Sequence, residues 1–223
     1  MNSISTGDSA TWLPALNRPF VMKELRQCGF VLLLGCVAVC FALFGAIVAP
    51  PSLMLFSSGE AVVGYASIVV PLAIALGLCQ SFEFNRRSSI FLLHMPVSRQ
   101  ELIRTKLAMG LAALVAIVAV PILVAGLAFS IGSYRMPFFW SMTADLWRLL
   151  LTSTMIYLTA FLCGIRPANW FATRLLPIVG ICFFGIAIQA IPYWWLIGPL
   201  LIVGADYFLV TTILHFAETR DYA

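Results

Sequence analysis

The chain has 223 residues, 62% of them hydrophobic and only 10% charged, with a mean hydropathy of +1.01. A soluble domain is nearer half apolar and a quarter charged, so this composition argues against a water-soluble fold and for the bilayer. The formal net charge is +4, yet the Lys and Arg residues lie in short segments between apolar runs, with no basic stripe interleaved with aromatics, which argues against a nucleic-acid surface.

Residues 1–18 are polar and carry no apolar stretch ahead of a small-residue cleavage site, so they read as a cytoplasmic N-terminus and not as a cleaved signal peptide. At 19–27, Pro19 sits where a first-turn proline is tolerated. Beyond it Val21, Met22, Leu25 and Cys28 fall on one helical face, and Lys23, Glu24, Arg26 and Gln27 on the other. This is the pattern of a short interfacial helix whose basic residues meet anionic headgroups. A plain positively charged flank that sets topology has the same composition.

Six segments then approach the ~20 apolar residues that a helix needs to cross hydrocarbon. They cover 28–49, 61–80, 107–131, 146–164, 175–190 and 193–216, so 28–216 forms one six-span domain and 217–223 a cytoplasmic C-terminus. Pro50-Pro51 closes the first, and Pro71, Pro121 and Pro177 fall inside spans, where each should kink its helix. Eleven of the thirteen Lys and Arg lie on one side: Arg18, Lys23, Arg26, Arg86, Arg87, Arg99, Arg104, Lys106, Arg166, Arg174 and Arg220, leaving Arg135 and Arg148 on the other. By the positive-inside rule both ends are cytoplasmic. Phe138, Phe139, Trp140, Tyr193, Trp194 and Trp195 then form an aromatic belt at the outer ends. The expected fold is all-α: a polytopic transmembrane helical bundle of about six spans.

The segment 83–106 is the longest polar interruption. Glu83 to Leu93 fits about three helical turns, charged first and apolar later. His94-Met95-Pro96 breaks it. Ser98-Arg99-Gln100-Glu101 has the form of a capping box, in which Ser98 accepts from an amide three residues on and Glu101 reaches back. A new helix therefore starts at Ser98 and runs through Lys106 into the third span. Helix, proline break and capped helix make an elbow that offers a semi-apolar surface with five cations, Arg86, Arg87, Arg99, Arg104 and Lys106, to a docking partner. An ordinary hairpin packed under the bundle would have the same pattern.

Leu92-Leu93-His94-Met95-Pro96-Val97-Ser98-Arg99, followed by Lys106, resembles the cytoplasmic coupling elbow in the permease subunits of type-two ABC exporters. Lys23-Glu24-Leu25-Arg26 is similar to that family's interfacial helix, and His215 to Asp221 to its usual ending. The resemblance implies the membrane half of an inner-membrane exporter, paired with a second permease half, identical or related. It implies a separate ATPase subunit, carrying ATP and Mg, that docks at Glu83, Arg86, Arg87, Pro96, Ser98, Arg99 and Glu101. The chain has no Gly-x-x-x-x-Gly-Lys-Ser/Thr phosphate loop and no cofactor motif of its own. It departs from the family where Ile191-Pro192 leaves little room for outer re-entrant helices.

Asp206 lies well inside the last span, ~20 Å from its outer end by helix rise. An ionisable residue at that depth is costly and by default a functional candidate. It is expected either to make a polar contact across helices, with Tyr157, Thr159 or Gln189, or to serve a substrate path or proton-linked step. The six cysteines lack metal spacing and read as packing. His94 and His215 read as interface residues. No constellation for catalysis is present, which sets the exporter reading against a proton-linked carrier using Asp206 and a membrane scaffold that moves nothing.

Overall fold

The structure is a computed structural model that describes residues 28–42, 59–82, 99–131, 139–166, 171–189 and 194–219. Its regular elements are all helical: α1 (Cys28–Ala42), α2 (Gly59–Phe82), α3 (Arg99–Ile131), α4 (Ala144–Ile165), α5 (Phe171–Gln189) and α6 (Trp194–Thr219), with a 3-10 turn, Trp140–Thr143, leading into α4. The described part of each segment read as a span from its apolar run falls on one of these helices. Among the described residues four stretches are long and apolar enough to cross a membrane: Val62–Ser81, Glu101–Ile131, Trp140–Ile165 and Ile197–Phe216. The apolar stretches Cys28–Ala42 and Thr173–Ile188 are shorter.

The helix expected to begin at the capping box runs unbroken from Arg99 into the apolar stretch and ends at Ile131. Pro71, Pro121 and Pro177 lie inside α2, α3 and α5 as expected, and Pro199 adds a fourth in α6. Each removes one amide donor from its helix ladder.

The bundle is built around α4. In the most apolar 18 residues of the Trp140–Ile165 stretch 83% are buried, against 33, 28 and 22% in the corresponding 18 residues of α2, α3 and α6. Those 18 residues are also the least apolar of the four sets, with a mean hydropathy of 1.5 against 2.3, 2.8 and 1.8. In a bilayer those facts belong together, because the most hydrophobic helices gain most from facing lipid, while hydroxyls are tolerated against other helices. Two of the α4 hydroxyls turn back to their own helix: Ser153 donates to Leu150 O at 2.6 Å and Thr159 to Met155 O at 2.8 Å. All three hydrophobic clusters contain α4 residues, with Phe161, Met155 and Ala160 among them.

Small residues let α2 reach α4 closely. Ala73, Gly77 and Ser81 recur every fourth residue on α2, and Ala160 and Gly164 do so on α4. A β-carbon added at Gly77 would stand 2.6 Å from the backbone oxygen of Tyr157, and one at Gly164 would overlap the Ser81 side chain. This is the small-xxx-small packing by which membrane helices gain van der Waals contact when lipid removes any hydrophobic drive. The outer faces of α1, α5 and α6 expose Phe30, Phe41, Phe183, Leu200, Val203 and Phe208, a surface suited to hydrocarbon.

Both ends of α4 are secured. At its start, the Thr143 hydroxyl donates to Trp140 O at 2.8 Å and accepts from Trp147 Nε1 at 3.2 Å, while Asp145 pairs with Arg148 at 2.8 Å. An acid in the first turn also suits the helix dipole. At its end, Arg174 from α5 donates Nε to Cys163 O at 2.7 Å and Nη2 to Gly164 O. Two carbonyls that the helix itself cannot satisfy thus receive a cation.

Candidate functional site

Asp206 is half-buried, twelve residues beyond Trp194 and therefore ~18 Å along α6 by helix rise. Its Oδ2 lies 2.8 Å from the Thr154 hydroxyl of α4. Its Oδ1 is buried and has no hydrogen-bond partner. The interhelical polar contact expected of this residue is therefore present, but with Thr154 and not with the three partners read from the sequence. Tyr157 bonds elsewhere, and Thr159 turns its hydroxyl back to Met155 O. The Gln189 side chain lies outside the described side chains. The reason is angular: on α4 Thr154 faces α6, whereas Tyr157, three residues on, points toward α2 and α3.

Tyr157 is fully buried, and its hydroxyl donates to Gln80 Oε1 at 2.5 Å, with Leu107 O at 3.4 Å. Gln80 is itself 4% exposed. The pair fits because position 110 of α3 is glycine: a β-carbon there would overlap both the Tyr157 hydroxyl and the Gln80 amide. Gln80 and Ser81 stand at the end of α2, and Leu107 and Gly110 follow the start of α3, so both roots of the connecting segment converge on the central helix.

Lys106 belongs to the same region. Among the cations of the elbow it was expected at a cytoplasmic surface, but it is 1% exposed, alongside buried Ile103, Thr105 and Leu107. The first turns of α3 pack into the bundle and carry Lys106 inward with them. Glu101 and Arg104 are exposed. Arg99 opens α3, but its side chain lies outside the described ones. Glu83, Arg86, Arg87, Pro96 and Ser98 lie outside the described residues, as do Lys23, Glu24 and Arg26 of the 19–27 segment.

An apolar cleft of about 260 Å³ opens between α2, α4 and α5, with Val70, Met155, Ile156, Cys182 and Gly185 in its walls. Thr152 also lines it, but its hydroxyl is spent on Arg148 O and Leu149 O. Among the described residues the cysteines are free, and no group of three or more His, Cys, Asp or Glu side chains could hold a metal ion.

Sequence reading missed Thr154, Gln80, Gly110 and Arg174. The Thr152-Ser153-Thr154 run and the four-residue repeat of small residues were the available signals, since both mark a helix built to face other helices. Nothing in one dimension signals Gly110. Comparison with protein-family models, with curated proteins and with solved structures finds no match to this chain.

Proposed function

We propose that this chain is the membrane-spanning permease subunit of an ATP-driven ABC exporter, in which a separate ATPase docks on the cytoplasmic segment 83–106. The observation that carries the reading is the sequence of that segment, Leu92 to Arg99 with its proline break and capping box, set between two apolar helices. Its support from the geometry is mechanical. The roots of the segment, Gln80 and Ser81 on one side and Leu107 and Gly110 on the other, are packed against α4. A push on the segment would therefore reach the core of the bundle and rock helices as rigid bodies between two arrangements.

In this reading α1 and α5 complete a six-span domain, both termini are cytoplasmic in the inner membrane, and a second permease half, identical or related, completes the pathway. ATP and Mg belong to the partner ATPase. A second reading, favoured by the mid-helix position of Asp206 and its contact with Thr154, is a stand-alone proton-linked carrier that needs no ATPase.

Co-purification of the tagged chain in mild detergent separates them. An ATPase subunit should come down with it and be lost when Arg86, Arg87 and Arg99 are changed together to Glu. Recovery of transport-competent protein with no nucleotide-binding partner would overturn the exporter reading in favour of the carrier.

A further inference from the structure

The Thr154 hydroxyl has two oxygen neighbours at hydrogen-bonding distance, Leu151 O at 2.7 Å and Asp206 Oδ2 at 2.8 Å. A hydroxyl carries one proton and two lone pairs, whereas an ionised carboxylate can only accept. If Asp206 were ionised, three oxygens would share a single hydrogen, and Oδ1, buried without a partner, would leave part of a full charge unsolvated. A neutral carboxyl resolves the count: Asp206 Oδ2–H donates to Thr154 Oγ1, and Thr154 donates to Leu151 O. What remains is an unpaired neutral acceptor at Oδ1, far cheaper in a low-dielectric site than an unpaired charge.

Among the described residues no other charge stands ready to stabilise the ion. On α6 the next titratable groups are Tyr207, which is exposed, and His215, nine residues on. On α4, Arg148 is six residues from Thr154 and paired with Asp145. α3 holds Arg99, Glu101, Arg104 and Lys106 near its beginning and no charged residue from 107 to 131. α5 holds Arg174, engaged at the end of α4, and none from 175 to 188.

We infer that Asp206 is a proton-binding site in the middle of the bundle, its carboxyl group neutral and donating to Thr154. Loss of that proton would draw the Thr154 hydroxyl from Leu151 O to the carboxylate, so the site has two hydrogen-bond arrangements across the α4–α6 contact. The inference stands apart from the exporter reading, because it concerns the chain alone and needs no ATPase.

Infrared spectroscopy of the purified full chain in lipid at neutral pH tests it. The wild type minus Asp206→Asn difference should contain one carbonyl-stretch band in the protonated carboxylic acid region, and that band should move on transfer to deuterium oxide. Thr154→Val, which keeps the side-chain shape and removes the acceptor, should shift the same band to higher frequency, and it serves alone should Asp206→Asn fail to fold. Absence of a protonated band from the wild type, or a band that neither substitution alters, would overturn the inference.

Discussion

Tyr157 and Gln80 illustrate how much one buried hydrogen bond is worth inside a bundle. Interhelical hydrogen bonds in membranes average ~0.6 kcal/mol, but a buried group stripped of its partner costs ~1–3 kcal/mol. Tyr157→Phe keeps the ring, including its tilted contact with Phe161, and leaves Gln80 Oε1 unanswered. It should lower stability by ~1–2 kcal/mol. Adding Gln80→Leu removes the orphaned amide as well, so the double variant should recover part of the loss. Thermal unfolding of the purified chain in nanodiscs checks both. Equal and additive losses would mean that the hydrogen bond is not the shared term.

At the scale of the element, the close approach of α2 and α4 rests on the absence of β-carbons. Gly77→Ala places a methyl against the Tyr157 backbone oxygen, which cannot rotate away, so the two helices must separate along their seam. A loss of ~1–3 kcal/mol, as for other overpacked sites, is expected, with an earlier onset of thermal unfolding. Gly180→Ala on α5 provides the control: nothing lies within 4 Å of a β-carbon there. Replacing a mid-helix glycine where space is open should be neutral or raise stability by up to ~1 kcal/mol. A seam variant as stable as this control would show that α2 and α4 are not locked by contact.

For the whole molecule, the distribution of charge and the distribution of burial make separate demands. Eleven of thirteen Lys and Arg collect on one side of the proposed six-span arrangement, which predicts that α3 carries the chain from the cytoplasm outward. A reporter active only outside the cytoplasm should be active when inserted at 135 and inactive when inserted at 90. The reverse pattern would invert the molecule, and equal activity at both positions would mean that α3 does not cross. Burial, meanwhile, singles out α4, and two interhelical side-chain hydrogen bonds, at Thr154 and Tyr157, both involve it, three residues apart.

The helices themselves were legible from the sequence by itself, because a backbone in hydrocarbon must satisfy its own hydrogen bonds over ~20 residues, and such runs are visible without any partner. The start of α3 next to Ser98 and the prolines of α2, α3 and α5 were legible for the same reason: each is a local property of a few consecutive residues. The tertiary structure alone decided that the least apolar of the four long membrane-length stretches is the innermost, that Lys106 is buried, and that Asp206 meets Thr154. Those outcomes depend on which helix faces approach one another, and the residues that meet are 52 positions apart at Asp206 and 77 at Gln80. Hydropathy records how each segment partitions into lipid, and close packing between glycines decides what it touches once there.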